Sequence, residues 1–249
     1  RQYLVMTDTE NKKMNHLLTP DYLRCVLKKK DDIFKIEYYN RSADAYLIMH
    51  VVPVEWSPEH ELEKVMLITQ DIGQKHALEN LANTDGLTGL FNERYFNSIL
   101  HKKELQKLPF ILFYLDLDHF KSVNDTYGHD MGDKLLKEAA NRLQSCIRSN
   151  DYAFRIGGDE FSLVVCTEFD ESLCCRIKEQ IQNRLCAPFD IDGKTLYIGS
   201  SCGYAAYPND ASTTNEIRIL ADQRMYAEKE KHHMFSSLSS SSTGSGLEK

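Results

Sequence analysis

The chain has 249 residues, enough for one and a half to two compact domains, and an apolar fraction of 42% that supports ordinary globular cores. Its formal net charge of −7 argues against nucleic-acid binding, which usually shows a basic stripe, although an acidic chain can hold a nucleotide through metal ions. Seven cysteines make an odd count without a CxxC pair, so they are expected as core hydrophobes in a reducing cytosol rather than as a zinc site, and no stretch approaches the ~18 apolar residues of a membrane span.

The chain opens at Arg1 rather than Met and is read as a cytoplasmic fragment of a longer protein, with membrane attachment upstream left open. Residues 1–72 predict a mixed α/β piece. Thr19-Pro20-Asp21 is a helix start, with Thr19 as cap and Pro20 in the first turn. Strand-like runs follow at Ile33–Tyr39, Ala45–Val54 and Lys64–Ile72, separated by turn residues. A helix, a hairpin and a last strand ending Thr69-Gln70-Asp71-Ile72 resemble the C-terminal half of a PAS sensor domain. Residues 73–84 carry Leu78, Leu81 and Ala82 on one helical stripe and predict a connector helix that pairs with its twin in a homodimer.

Asn92 is expected to cap a helix running to about Leu105. Pro109 opens a strand, Phe110–Leu115, continuous in apolar residues and so buried on both faces. It ends in Asp116-Leu117-Asp118-His119-Phe120-Lys121. A buried carboxylate needs a partner, so Asp116 is assigned to a metal and Asp118 to capping the next turn. Residues 122–133 read as a polar, glycine-punctuated ligand loop, followed by a helix from about Asp133 to Ser149. Arg155-Ile156-Gly157-Gly158-Asp159-Glu160-Phe161 then predicts a tight hairpin with two carboxylates at the mouth of a buried strand ending at Cys166. Paired negative charge on a rigid turn suits a metal ion carrying a phosphate. A helix over Asp170–Cys186, a strand over Lys194–Tyr207 broken at Gly199 and Gly203, and a helix from Asn215 to about Lys231 complete the order. Residues 236–249, rich in Ser and Gly, read as a disordered tail.

Five stretches stand in one order: Asp85-x-Leu87-Thr88-Gly89-Leu90-x-Asn92, Asp116-x-Asp118-x-Phe120-Lys121, Asn124-Asp125-x-x-Gly128-His129-x-x-Gly132-Asp133, Gly157-Gly158-Asp159-Glu160-Phe161 and Ala221-Asp222-x-x-Met225-Tyr226. Together they resemble the GGDEF family of diguanylate cyclases over residues 85–235. The resemblance implies an α/β (α+β) fold, an antiparallel sheet flanked by helices like the palm of nucleotide cyclases and polymerases, preceded by the partial PAS-like domain. It implies condensation of two GTP into cyclic di-GMP and pyrophosphate, each 3′-hydroxyl attacking the partner's α-phosphate across a homodimer.

In that reading Asp116, Asp159 and Glu160, with the Leu117 carbonyl, hold Mg²⁺ or Mn²⁺, two per GTP. Asn124 and Asp133 read the guanine edge. Lys121, Lys229 and amides near His119 and Phe120 hold phosphates, and Arg148 with Asp151 forms the inhibitory product site. Two departures stand out. Glu93 replaces a usual Arg, and the family's ending Ala-Lys-x-x-Gly-Arg-Asn is here Glu228-Lys229-Glu230-Lys231-His232-His233-Met234, with His233 where a second phosphate-binding Arg is usual. A neutral imidazole brings less charge than a guanidinium. That departure alone favours the alternative, a non-catalytic receptor for cyclic di-GMP or GTP.

Overall fold

The Thr19 hydroxyl accepts a hydrogen bond from the Tyr22 amide while its own backbone stays extended, so α1 (Pro20–Val26) starts where the Thr-Pro pair directs it. The computed structural model describes residues 14–40 and 43–241, apart from the side chains of residues 76, 233 and 235–241. The chain divides into two units, Arg1–Ala82 and Asn83–Lys249.

In the first unit, β1 (Phe34–Asn40), β2 (Ala45–Trp56) and β3 (Leu62–Asp71) form an antiparallel sheet in that order. Leu23 and Leu27 of the α1 segment bury against Met49, Val51 and Leu62. The core is small, and Met66, Leu67 and Ile68 on β3 remain about half exposed. Asp71 caps α2 (Gly73–Asn83) by accepting from the Gly73 amide at 2.7 Å. On that helix Leu78 and Leu81 are 67% and 78% exposed, so the predicted stripe exists and lies open.

The second unit is built on β5 (Phe110–Asp118), every residue of which is buried. Around it lie β4 (Phe91–Asn92), β6 (Tyr152–Gly157), β7 (Glu160–Val165) and β10 (Gly199–Tyr207), in the order β10-β5-β7-β6-β4. Neighbours are antiparallel except β4 and β6, which run parallel. Alternation along β5 separates two cores. Ile111, Phe113, Leu115 and Leu117 face α5 (His129–Gln144) and α6 (Glu171–Leu185), burying Leu135, Ala139, Ile177 and Ile181. Phe110, Leu112 and Tyr114 face α3 (Glu93–Leu105) and α7 (Thr214–Ser241), burying Phe96, Ile99, Ile217 and Met225. Asp116 and Asp118 continue this second series, so both carboxylates look toward α7.

Several expectations need correction. The segment 122–133 is no loop but two helices, α4 (Phe120–Tyr127) and the start of α5, joined at Gly128 with φ 85°. Glycine here supplies a left-handed residue between helices rather than an irregular excursion. The strand expected over 194–207 divides in two: β9 (Lys194–Leu196) pairs with β8 (Phe189–Ile191) in a separate hairpin, and β10 starts at Gly199 and runs unbroken through Gly203. Asp192 and Gly193 turn it at φ 51° and 75°, the Asp-Gly pattern of a tight hairpin. The last helix continues to Ser241, into the predicted tail, and residues 242–249 lie outside the described ones. Cys146, Cys174 and Cys202 are buried as expected, but Cys25, Cys175 and Cys186 are exposed.

Candidate functional site

The Gly-Gly turn is held from behind. Gly158 has φ +51° and its carbonyl accepts from Arg155 Nε and Nη2 at 3.0 and 2.8 Å. The same guanidinium reaches Asp85 Oδ1 at 3.1 Å, and that carboxylate also accepts from the Thr88 amide and hydroxyl at 2.9 and 2.6 Å. Asp85 is therefore a support of the turn, 70 residues away in sequence. Burial raises its pKa, but the bonds from Thr88 and Arg155 outweigh that and leave it lowered.

The turn delivers its acids to the end of β5. Asp116 and Glu160 are paired across the strands, and the Leu117 amide donates to the Asp159 carbonyl at 3.2 Å. In a strand the amide and carbonyl of one residue point the same way, so the Leu117 carbonyl is also directed toward Asp159. Asp116 is 6% exposed and its pKa is raised, first by burial and then by Asp159, against the opposing pull of Lys229. Glu160 is raised likewise by burial, then by Asp116, Asp222 and Asp159. Asp222 on α7 thus adds a further carboxylate to the cluster. Among the described residues, the cation that meets Asp116 is Lys229, whose Nζ donates to Oδ1 at 2.6 Å. Burial lowers the Lys229 pKa, but Asp116, Asp159 and Asp118 raise it further, so the ammonium is secure.

Among the described residues, no three His, Cys, Asp or Glu side chains already converge on a metal-ligand geometry. The donor set nevertheless fits a divalent cation. Hard carboxylate oxygens repel one another at the end of a strand, and positive charge placed among them would relieve both burial and repulsion.

Asp118 does not cap the following turn: the residue at the helix start is His119, at φ 63°, and it makes no side-chain cap. Instead Asp118, 4% exposed, accepts from Ser201 Oγ at 2.7 Å and meets His232 Nδ1 at 2.9 Å. Residues 83 and 114 positions away satisfy this acid, beyond the reach of local pattern. The signal available in the sequence was the one applied to Asp116, that a buried acid demands a partner.

Phe120 is buried at the start of α4 and Lys121 beside it is exposed. Asn124 lies against α5 so closely that a Cβ on Gly132 would stand 1.9 Å from its Oδ1. The carboxamide therefore sits over the residue preceding Asp133, which is exposed at the same helix start. Glu93 pairs with Arg218 at 3.5 Å, a contact between α3 and α7. The His233 side chain lies outside the described residues.

Arg148 and Asp151 stand apart, after α5. Both Asp151 oxygens are occupied, by the Arg148 amide at 3.0 Å and the Cys166 amide at 2.9 Å. The exposed Arg148 side chain lines a cavity of about 350 Å³ together with Asp151, Arg176 and Gln180. Arg176, unremarked in the sequence, supplies a second guanidinium there.

A family model described as "Diguanylate cyclase, GGDEF domain" matches residues 82–234. The chain belongs to the GGDEF family. A sensory box/GGDEF family protein from Caulobacter crescentus is 36% identical, with a TM-score of 0.54 covering 60% of this chain and 99% of that one. The coiled coil and GGDEF domain of DgcB from the same organism, in complex with c-di-GMP, is 26% identical with a TM-score of 0.57, covering 64% and 86%. The bifunctional diguanylate cyclase/cyclic di-GMP phosphodiesterase MucR of Pseudomonas aeruginosa is 34% identical over 175 residues, 69% of this chain and 25% of MucR. Other curated relatives are likewise spanned only in part, from 22% to 48% of their length. The GGDEF domain places this chain in cyclic di-GMP signalling, and its mixed sheet flanked by helices is the architecture of those neighbours. No helix among the described residues is long and apolar enough to cross a membrane.

Proposed function

We propose that this GGDEF domain is a diguanylate cyclase that condenses two GTP into cyclic di-GMP and two pyrophosphates, acting as a homodimer in which each subunit carries one nucleotide. The observation that carries the reading is the Asp116–Glu160 pair beside Asp159, in which the carboxyls of Asp116 and Glu160 are pushed up first by burial and then by the neighbouring acids. Buried acids gathered around a single ammonium are a poor structural choice and a good site for a metal-bound phosphate. Asp116, Asp159, Glu160 and the Leu117 carbonyl would hold Mg²⁺ or Mn²⁺, two per GTP, which when bound neutralise the triphosphate and lower the pKa of the attacking hydroxyl.

The chain's own groups do the rest. Asn124 and Asp133 hold the guanine edge, the carboxylate accepting from the N1 and N2 donors. Lys121, Lys229 and the amides of the His119–Phe120 turn hold phosphate oxygens. Lys229 leaves Asp116 for the phosphates when nucleotide enters. The 3′-hydroxyl of one GTP loses its proton to solvent, its oxygen forms a bond to the α-phosphorus of the other, and the bond from that phosphorus to the pyrophosphate oxygen breaks. Repeating the step with the roles exchanged closes the ring. Arg148 and Asp151 form the inhibitory product site. The first unit acts as a PAS-like sensor, coupled through α2.

Incubation of the purified chain with GTP and Mg²⁺ is expected to give cyclic di-GMP and pyrophosphate, and Asp116→Ala or Asp159→Ala to abolish both. A folded chain at micromolar concentration that makes no product, yet binds cyclic di-GMP by calorimetry, would replace the enzyme with the receptor reading.

A further inference from the structure

Two rungs join β5 to α7. In the first, Lys229 Nζ donates to Asp116 Oδ1 at 2.6 Å; in the second, His232 Nδ1 meets Asp118 Oδ2 at 2.9 Å. The acids are two apart on a strand and share a face, while the bases are three apart on a helix and share a stripe. The second rung therefore lies farther along β5, at its last residue, where His119 turns the chain into α4.

Ser201 decides which way the imidazole is used. Its Oγ donates to Asp118 Oδ1 at 2.7 Å, so its lone pairs are what face His232 Nδ1 at 3.2 Å. Nδ1 must then carry a hydrogen, shared between an Asp118 oxygen and the Ser201 oxygen. Nε2 is left as the outward nitrogen. No partner for it is found among the described residues, and the His232 side chain is 42% exposed against 5% for Asp118. Gly199 keeps the rung possible, since a Cβ there would stand 2.9 Å from Asp118 Oδ2. A buried carboxylate, a buried hydroxyl and a glycine thus combine to orient one half-exposed ring. The resembled family's pattern has glycine at position 232, so the arrangement belongs to this chain.

We propose that His232 is a substrate-binding residue whose Nε2 donates a hydrogen bond to an oxygen of the terminal phosphate of the bound triphosphate, with Asp118 and Ser201 as its positioning residues. The inference rests on the reading of Lys229 and the His119–Phe120 turn as the phosphate end of the site. With Nδ1–H committed to Asp118 and Ser201, the bond to phosphate falls to Nε2, and a phosphate oxygen there can only accept. The substitution of His233 for Arg is then compensated one residue earlier, by an imidazole that is held rather than free.

The test is calorimetry on the whole chain with Mg²⁺, using a GTP analogue with a methylene bridge between the α- and β-phosphorus, and GDP as comparator. His232→Ala is expected to weaken the triphosphate about tenfold or more, the range of a hydrogen bond to a charged group, and to leave GDP unchanged. His232→Arg is expected to restore most of the loss. Should the alanine variant fail to fold by circular dichroism, the same comparison is made with His232→Gln, which keeps the bulk and lacks the charge. An unchanged ratio of triphosphate to GDP affinity would overturn the role of His232 while leaving the parent reading intact. Failure of the unsubstituted chain to bind the triphosphate at all would overturn both.

Discussion

Gly132 offers a way to separate the fold from the guanine site. It is an interior residue of α5, where alanine is favoured over glycine by about 1 kcal/mol. A methyl group there would stand 1.9 Å from Asn124 Oδ1, 3.0 Å from its Cγ and 3.1 Å from Phe120 Cζ. These are ends of side chains, so the carboxamide swings away rather than the helices parting. Gly132→Ala is thus expected to keep or slightly raise the thermal midpoint while displacing Asn124. If Asn124 makes one or two hydrogen bonds to guanine at about 0.5–1.5 kcal/mol each, GTP binding weakens on the order of tenfold. Thermal unfolding and calorimetry with the GTP analogue, done on the same preparations, give the two readouts. The double variant is the decisive control. In an Asn124→Ala background the methyl has no carboxamide to displace, so Gly132→Ala should leave the remaining affinity unchanged. A further loss there, or full affinity in the single variant, would refute a role for Asn124 set by this contact.

Gly203→Ala is expected to cost about 3 kcal/mol or more, because its Cβ would meet the Ala221 carbonyl and the Met225 amide at 2.2 Å, backbone atoms that cannot turn aside; chemical denaturation measures it. Asp85 has a pKa lowered in the folded state from the ordinary 3.8, so its stabilisation is present above that value and lost as pH falls through the folded one. The stability gap between the unsubstituted chain and Asp85→Asn should accordingly stay constant at neutral pH and close below pH 3.8, as followed by urea titrations across pH. Asp151→Ala frees two amides and is expected to destabilise by about 1–3 kcal/mol. Arg148→Ala should leave stability within about 0.5 kcal/mol and weaken only cyclic di-GMP binding, so equal effects of the two on stability would contradict this division.

What could be read from the chain was whatever is encoded locally. The Asn92 cap, the Asp170 helix start, the apolar β5 run and the Gly157-Gly158 turn each carry their signal within a few residues. The joined helices α4 and α5 were not legible because Gly128 reads equally as loop punctuation and as a left-handed link. The β8–β9 hairpin was legible through Asp192-Gly193 but was absorbed into a longer strand. The supports of the site were least visible. Arg155 reaches Asp85, and Asp118 reaches Ser201 and His232, across separations that only the assembled sheet closes.

Those supports give the site a division of labour. The turn bearing Asp159 and Glu160 is fixed through Arg155 and Asp85, neither of which is on α7. The part of the phosphate side that Lys229 and His232 supply depends on how α7 lies on the sheet. Gly203 allows that helix to approach β10 backbone to backbone, and Glu228 fastens it by accepting from the Cys202 amide at 3.1 Å and from Lys178 and Gln182 at 2.7 Å each. One residue beyond Glu228 comes Lys229, and a turn after it His232, so the register fixed at Glu228 sets both rungs on Asp116 and Asp118. Loosening Glu228 should therefore weaken phosphate contacts while sparing the Gly-Gly turn, whereas loosening Asp85 should do the reverse. The two halves of the site meet at Asp116, which pairs with Glu160 across the sheet and accepts from Lys229 on α7.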